Sequence, residues 1–407
     1  MERRNLALLC AGVVCFWLFA LAFGTAQGRG LRIQPAVQAQ AEPAVQTLTV
    51  TPPQLTLPCR AAILIDQTSG TVLYEMNADQ TMPIASITKV MTLLLTFEAV
   101  HAGRLTMDTA VPVSEHAYHM GGSQIWLEPG EQFTLDEMLK AICVSSANDA
   151  AVAVAELVGG SEPAFVQQMN ARAAELGMTN TVFHNACGLD AEGHLSTARD
   201  VAVISRYILN TCPEVLHYTG IWTDTLRGGA TQLVNTNKLI RFYEGATGLK
   251  TGSTDGALYC LSATAERDGM ELISVIMKGA TSAQRFEDAK ALLSYGFSTY
   301  ALKTIVPEEA LPPVPVELGT QSTVQPVLGE GNVLLLEKAR AGDLTQTVEL
   351  VDSAAAPVEA GDRLGTLTVT AGEETAAEIP ILAGETVPRI TFSQMLLRLL
   401  RTAFLAG

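Results

Sequence analysis

The chain has 407 residues, of which 48% are hydrophobic and 17% charged, enough for two or three domains with buried cores. Its formal net charge at pH 7 is -16, which argues against nucleic acid as a partner because no basic surface is available to neutralise phosphates. The seven cysteines follow no metal-ligand spacing. Five remain after Cys10 and Cys15, and this odd number excludes a complete disulfide framework.

The N-terminus has the features of a secretory signal. The basic residues Arg3 and Arg4 precede an apolar run over residues 6–23, and small residues follow up to Ala26. We predict a signal peptide over residues 1–26. The alternative is an uncleaved anchor, because the run is close to the minimum length for spanning a bilayer. Both interpretations place the body of the protein outside the cytoplasm, at the outer face of the cytoplasmic membrane.

Residues 27–58 are rich in Ala, Gln, Pro, Val and Thr and carry almost no charge. This composition predicts a disordered linker between the membrane and a domain that begins near Cys59. Apolar runs at residues 61–66 and 71–74, separated by a polar turn, then predict a β-hairpin.

The main domain is predicted over residues 59–303. Helical periodicity predicts helices at residues 86–100, 135–144, 149–158, 163–176, 197–209 and 283–295, and apolar runs predict strands at 247–251, 257–265 and 271–278. The order is strands, helices, strands and a helix. It fits an α+β domain in which one antiparallel sheet is surrounded by helices.

The composition and residue pattern of the chain change after Pro307. Short Val/Leu/Thr runs alternate with Gly and Pro, which predicts a small β-rich domain over residues 304–388. Residues 389–407 predict an amphipathic helix, with one apolar face formed by Phe392, Met395, Leu396, Leu399, Leu400, Ala403 and Phe404. This helix either docks on the β domain or lies in the membrane surface, and its apolarity favours the membrane.

A hydroxyl and an amine stand three residues apart at Ser86 and Lys89, where an apolar helical pattern begins. On a helix, such residues are neighbours. Burial or a second cation would lower the pKa of the lysine, and the neutral amine could then take the serine proton. About one such pair is expected by chance in a chain of this length, so this spacing alone favours an ordinary solvated lysine.

A second motif, Ser146-Ala147-Asn148, falls between two predicted helices. A loop there can present another hydroxyl and a side-chain amide to a cleft. Considered alone, Asn148 fits better as the N-cap of the following helix.

A third motif, Lys250-Thr251-Gly252, ends a predicted strand. Because Gly252 has no side chain, a substrate backbone can approach the strand edge. Lys250 would supply positive charge there and Thr251 a hydroxyl donor. The alternative is a strand end followed by an ordinary polar turn.

The three motifs occur in the order S-x-x-K, S-x-N and K-T-G, on a helix start, a loop and a strand edge. In this combination the chain resembles the penicillin-recognising serine enzymes. The segments AAILIDQTSGTVLYEMNAD, SANDAAVAVAE, HNACGLDAEGHLSTARDVA and ATGLKTGSTDGA make it similar to the low-molecular-mass D-alanyl-D-alanine carboxypeptidases. The resemblance is close over residues 59–300. It implies a β-lactamase/transpeptidase-like catalytic domain, followed by a stalk and a membrane anchor.

The resemblance implies a role for each motif residue. Ser86 would be the nucleophile that forms an acyl-enzyme, and Lys89 its general base. Ser146 would relay a proton to the leaving amine. Asn148 would orient the substrate amide, and Lys250 would support the electrostatics.

The resemblance also implies how the substrate is held. The backbone N–H groups of Ser86 and Ser253 would form an oxyanion hole. Thr251, beside Gly252, would bind a terminal carboxylate with help from Arg285, whose fork-shaped guanidinium suits that group. The alternative for Arg285 is a solvated helix residue. The implied reaction removes the terminal D-alanine from peptidoglycan pentapeptide stems, needs no cofactor or metal, and is inhibited by β-lactams.

Three other functions have to be distinguished from this one. A class A β-lactamase needs a Glu in an E-x-x-x-N pattern, and Glu192 lacks the Asn four residues on. A D,D-endopeptidase acting on peptidoglycan crosslinks would use the same motifs. A non-enzymatic wall-binding protein would not need all of them.

His116 and His119 could share a helix face, but two ligands do not make a zinc site. Cys187 stands where the family often has His or Thr.

Overall fold

The structure is a computed structural model, and it describes residues 45–405 except positions 49, 51, 52 and 54. The predicted signal peptide and residues 27–44 of the predicted linker lie outside the described residues. Strand β1 (Val45–Thr47) falls inside that linker and pairs in parallel with residues 333–335. The prediction of disorder is therefore wrong for the C-terminal part of the linker, at residues 45–47. Its physical reason is burial, since Leu48 is 4% exposed in the core of the small domain.

The large domain follows the predicted order of elements. Its strands are β2 (Ala61–Asp66), β3 (Val72–Met76), β4 (Ala110–Pro112), β5 (Gln132–Thr134), β6 (Thr223–Leu226), β7 (Thr231–Val234), β8 (Ala246–Thr254), β9 (Leu258–Arg267) and β10 (Met270–Gly279). Its helices are α1 (Lys89–His101), α2 (Glu115–Tyr118), α3 (Leu135–Lys140), α4 (Asn148–Gly159), α5 (Glu162–Glu175), α6 (Ala198–Thr211), α7 (Val215–Thr219), α8 (Leu239–Phe242) and α9 (Ser282–Thr299). Tight 3₁₀ turns occupy Ala85–Thr88 and Arg227–Gly229, and a π-turn occupies Ala141–Ser145.

A five-stranded antiparallel sheet, in the order β3-β2-β10-β9-β8, forms the centre of this domain. One face packs on α8 and α9, and the other packs on α6 and the remaining helices. Every residue of β2 is buried, as expected of a strand covered on both faces. Among the described strands, β8 is an edge of the sheet, so its free side faces the helical half of the domain.

The small domain is β-rich, as predicted. Its elements are β11 (Tyr300–Thr304), β12 (Val314–Glu317), β13 (Thr323–Val324), β14 (Pro326–Leu328), β15 (Val333–Glu337), β16 (Leu344–Leu350), β17 (Ala354–Ala355), β18 (Arg363–Ala371) and β19 (Glu374–Ala383), with a 3₁₀ turn at Lys338–Arg340. Its largest sheet has the order β14-β19-β18-β16, and β1-β15-β11 forms another. Buried and partly exposed residues alternate along most of β18, because one face of its sheet covers a core.

The chain ends in α10 (Phe392–Leu405), which confirms the predicted terminal helix. Its apolar side chains are exposed: Phe392 is 84% exposed and Leu399 60%. The described part of the chain contains no helix with the length and apolarity needed to cross a bilayer.

Candidate active site

Ser86 lies in the 3₁₀ turn that leads directly into α1. The turn is set by its neighbours: Ala85 has a left-handed backbone (φ 49°), and its carbonyl accepts a hydrogen bond from Thr88 Oγ1 at 2.8 Å. His194 Nε2 lies 2.8 Å from that hydroxyl, and His194 Nδ1 accepts from the backbone N–H of His184. Nε2 therefore carries the proton and donates it to Thr88. The buried imidazole fixes the turn that presents Ser86.

Lys89 is fully buried, and this excludes the solvated lysine that the isolated motif favoured. Its Nζ lies 2.9 Å from Ser86 Oγ, 2.6 Å from Asn148 Oδ1 and 2.7 Å from the carbonyl oxygen of Cys187. Burial lowers the pKa of Lys89 to about 8, although the neighbouring Cys187 and Asp149 act in the opposite direction. The amine thus lies beside a serine hydroxyl and loses its proton far more easily than an exposed lysine.

Asn148 does not cap α4, contrary to what its motif predicts in isolation. The N-cap position is Ala147, and Asn148 is the first helical residue. Its amide turns inward, accepting from Lys89 and donating from Nδ2 to the Gly121 carbonyl at 2.7 Å. The adjacent buried Asp149 accepts from backbone N–H groups of Ile125 and Ala150. Interactions across the fold therefore outweigh local capping and bring Asn148 to the amine.

Ser146 and Lys250 form a second pair. Ser146 ends the π-turn with a left-handed backbone (φ 61°), and Lys250 Nζ donates to its Oγ at 2.8 Å and to the Thr251 carbonyl at 3.0 Å. Burial lowers the pKa of Lys250 well below its usual value, and the nearby positive charge of Lys89 lowers it further. The structure thus brings the second and third motifs together.

Gly252 places β8 directly against the turn that contains Ser86. A Cβ at this position would lie 2.6 Å from the Ile84 carbonyl oxygen and 3.1 Å from the Ser86 nitrogen. Only glycine permits this approach. Ser253 follows on the same strand and is exposed. The expectation that a substrate backbone lies along this edge fits the observed strand order, and the oxyanion hole of the Ser86 and Ser253 N–H groups remains a prediction.

Thr251 has a partner that the sequence analysis missed. Thr236 Oγ1 lies 2.7 Å from Thr251 Oγ1, and the Thr236 backbone N–H donates to the Val144 carbonyl. Two adjoining hydroxyls therefore stand beside Lys250. The only sequence signal for Thr236 was the polar run Asn235-Thr236-Asn237 before β8.

Arg285 is buried on α9, so the solvated alternative is wrong. Its Nη1 donates to the carbonyl oxygens of Gly252 at 3.0 Å and Cys260 at 3.3 Å, bridging β8 and β9. Burial lowers the pKa of Arg285 to about 10. The guanidinium supports the backbone of the strand edge, and direct binding of a carboxylate by Arg285 stays a prediction.

The Cys187 departure leaves the site intact because the carbonyl, not the thiol, contacts Lys89. Next to it, Gly188 has φ 88°, and a Cβ there would lie 2.0 Å from the Ala85 carbonyl oxygen. This loop therefore packs against the turn that contains Ser86. All five cysteines of the described residues are buried and free, as expected of small apolar residues.

One group of side chains outside the site has metal-ligand types. The ligand atoms of His101, Cys212 and Glu214 lie within 4.8 Å of one another. His101 Nε2 is 2.5 Å from the Glu214 carboxylate, which leaves no room for an ion between them. His101 ends α1, about 18 Å along the helix from Lys89, so the cluster lies away from the serine.

Comparison with known proteins gives consistent matches. The family model described as D-alanyl-D-alanine carboxypeptidase matches residues 46–281, and that of the penicillin-binding protein 5 C-terminal domain matches residues 300–389. The chain is 39% identical to D-alanyl-D-alanine carboxypeptidase DacF of Bacillus subtilis over 83% of this chain and 88% of the relative.

Two solved structures illustrate the structural likeness. Penicillin binding protein 5 from Haemophilus influenzae superposes with a TM-score of 0.70 at 28% identity, covering 84% of this chain and all 100% of the other. Penicillin-Binding Protein D2 from Listeria monocytogenes, in its ampicillin-bound form, gives a TM-score of 0.55 at 37% identity and covers 60% of this chain and 100% of the other.

Proposed function

The chain belongs to the D-alanyl-D-alanine carboxypeptidase family and is a serine-type carboxypeptidase of that class, and we propose that Ser86 is its nucleophile and Lys89 its general base. The observation that carries this assignment is the fully buried Lys89 amine at 2.9 Å from Ser86 Oγ. A lysine can deprotonate a serine only as the neutral amine, and burial favours that form.

The acylation step uses the two pairs in sequence. Lys89 Nζ takes the proton of Ser86, whose Oγ forms a bond to the carbonyl carbon of the penultimate D-alanine. The C–N bond to the terminal D-alanine then breaks, and Ser146, held by Lys250, relays the proton from the Lys89 ammonium to the leaving amine, which leaves Lys89 neutral and Ser146 as a hydroxyl. Water hydrolyses the resulting ester, which regenerates the Ser86 hydroxyl and releases the shortened stem with a new carboxylate.

The edge of β8 is the substrate-binding surface of this proposal. The stem backbone lies along β8 beside Gly252, and Asn148 orients its amide. The terminal carboxylate lies at the Thr251 and Thr236 hydroxyls, where the positive charge of Arg285 favours an anion. A substrate with a free C-terminal carboxylate uses this subsite best.

The same site binds β-lactams, as expected of a penicillin-binding protein. The Listeria structure named above is an ampicillin-bound form of a similar protein. A β-lactam carbonyl attacked by Ser86 would give a stable ester if no group activates water for its hydrolysis. Glu192, the residue considered for that function, is exposed in a turn. This supports a carboxypeptidase rather than a β-lactamase.

The two ends of the chain place the protein outside the cell membrane in this proposal. The apolar run at residues 6–23 directs export, and α10 lies in the surface of the cytoplasmic membrane. Support for the helix comes from its exposed apolar side chains, among them Phe392, Leu397 and Leu399, which the small domain does not cover. Peptidoglycan stems outside the membrane are then within reach of the site.

Benzylpenicillin acylation tests the nucleophile. We expect one covalent adduct per chain by mass spectrometry for the wild type, located at Ser86, and none for Ser86→Ala. Ser298→Ala, which removes an exposed hydroxyl on α9, is the matched control and should be acylated normally. An adduct of the same mass on Ser86→Ala would place the nucleophile elsewhere.

A further inference from the structure

The direction of the Lys89 lone pair depends on two fixed acceptors. A neutral amine has two N–H bonds and one lone pair. Asn148 Oδ1 at 2.6 Å and the Cys187 carbonyl at 2.7 Å accept the two N–H bonds, and the lone pair then faces Ser86 Oγ at 2.9 Å. The orientation of the Cys187 carbonyl is therefore part of what makes Lys89 a base for that serine.

The carbonyl of Cys187 is held by the peptide groups around it. Thr92 Oγ1, one turn along α1 from Lys89, donates to the Ala186 carbonyl at 2.6 Å. Asn185 Oδ1 accepts from the backbone N–H of Gly188 at 2.6 Å. These two contacts hold residues 185–188 from α1 and from within the loop. A third contact to this segment comes from α5.

That contact comes from Glu162, the first residue of α5. Its Oε1 accepts from the Ala186 backbone N–H at 2.9 Å, and Glu162 is only 9% exposed. Its other oxygen, Oε2, lies 2.6 Å from His116 Nε2, on a side chain that is 54% exposed. A buried carboxylate is costly unless hydrogen-bonded, and here both oxygens have partners. The helix N-terminus also favours its negative charge.

We propose that Glu162 is a positioning residue for the catalytic base, because it holds the Ala186 N–H and so keeps the Cys187 carbonyl on Lys89. His116 anchors the carboxylate from the solvent side. This inference rests on the proposed function of Lys89. Glu162 is hydrogen-bonded to the loop that supports Lys89 and not to Ser86, so it takes no part in activating water.

The test compares Glu162→Ala with Glu162→Gln in benzylpenicillin acylation and deacylation. Without the carboxylate, the Ala186 N–H loses its acceptor and the carbonyl moves, so we expect Glu162→Ala to slow acylation about tenfold. The final amount should still be one adduct per chain, and deacylation should be unchanged. Glu162→Gln keeps an oxygen for Ala186 and should stay near the wild-type rate. Glu287→Ala, which breaks an exposed ion pair on α9, is the matched control.

Several results would overturn the inference. Acylation of Glu162→Ala at the wild-type rate would do so, and so would a reduced amount of adduct at an unchanged rate, which would indicate partial unfolding. Slower deacylation in Glu162→Gln, with acylation intact, would assign the residue to water activation. Lys89→Ala, measured alongside, separates the two proposals. Normal acylation of Lys89→Ala would show that Lys89 is not the base. If Lys89→Ala is not acylated but Glu162→Ala is acylated at the wild-type rate, only the role of Glu162 is wrong.

Discussion

At the scale of single residues, two buried lysines have different surroundings. Lys89 contacts a serine hydroxyl and two carbonyl-type acceptors, whereas Lys250 contacts a serine hydroxyl and a backbone carbonyl on its own strand. Both have lowered pKa values, chiefly from burial. Position relative to Ser86, more than charge, separates the proposed base from the residue that supports Ser146.

The pKa of Lys89 makes a prediction about pH. Because burial lowers it to about 8, the neutral base form dominates above that pH and is the minor form at neutral pH. The rate constant for acylation should therefore rise about tenfold per pH unit below 8 and level off above it. Stopped-flow acylation by a chromogenic cephalosporin between pH 6 and 9 measures this.

Lys89→Arg is the informative variant for the same experiment. A guanidinium does not lose its proton in this range, so acylation should be almost abolished at every pH. A wild-type rate that stays constant or falls across these pH values would show that Lys89 is not the base.

The sequence predicted Ser86, Lys89, Ser146, Asn148 and Lys250 as one cluster because the three motifs occur in the order found in the penicillin-recognising serine enzymes, which the chain resembles. The structure brings these residues together. Thr236, Glu162 and His194 were missed as site residues because they belong to no such motif. Their partners Thr251, Ala186 and Thr88 are distant in sequence, so only the tertiary fold reveals the contacts.

At the scale of elements, the site depends on how closely β8 approaches the Ser86 turn. Gly252→Ala should disturb both, since its Cβ would meet the Ile84 carbonyl oxygen at 2.6 Å. We expect acylation to fall about a hundredfold and stability to fall by about 1–3 kcal/mol. Rate measurement together with denaturant unfolding checks both parts.

Gly342→Ala is the matched control, because a Cβ there meets no atom within 4 Å. It should leave the rate and the stability close to those of the wild type. Normal acylation by Gly252→Ala would contradict the proposed close fit between strand and nucleophile.

The turn before α1 gives a prediction about acid. Burial lowers the pKa of His194 to about 4, below the unfolded value of about 6.5. The unfolded chain therefore binds the proton more readily. His194 contributes stability that is complete above pH 6.5 and is lost as pH falls towards 4, by up to about 3 kcal/mol.

Urea unfolding at several pH values tests this contribution. His194→Gln should be less stable than the wild type at pH 7, and the difference should shrink as the pH approaches 4. A difference that is the same at pH 7 and pH 4 would mean that the pKa of His194 is the same in the folded and unfolded states.

Helices and sheet strands with strong periodicity were predicted near their observed bounds, α1, α4, α5, α6 and β8 to β10 among them. The short pairs β4–β5 and β6–β7 were not, because each strand has only three or four residues and little pattern. The π-turn at Ala141–Ser145 differs from the prediction, since the sequence predicts an ordinary helix up to residue 144. Its extra residue per turn leaves no mark in composition, yet it sets the backbone of Ser146.

At the scale of the whole molecule, the small domain and α10 follow the catalytic domain along the chain. We predict that the protein starting at residue 27 binds anionic phospholipid vesicles through α10, because its exposed leucines and Phe392 can enter the interface. Removing residues 389–407 should abolish co-sedimentation and leave D-alanine release unchanged. Leu396→Glu combined with Leu400→Glu should act like the deletion.

Vesicle binding that survives both changes would contradict the proposed anchor.

The domain order itself was predicted from changes of composition along the chain. The exception was the end of the linker, where β1 adds to a sheet of the small domain. A segment so low in charge resembles a flexible tether, and only the pairing of β1 with β15 in the fold reveals that it has a partner.

Release of free D-alanine from a peptide ending in D-Ala-D-Ala tests the central claim most directly. The wild type should release one D-alanine per peptide, and Ser86→Ala should release none while unfolding at the wild-type denaturant concentration. No release by the wild type, with cleavage of crosslinked stems instead, would contradict a carboxypeptidase and indicate an endopeptidase. Equal release by Ser86→Ala would contradict the account of the site.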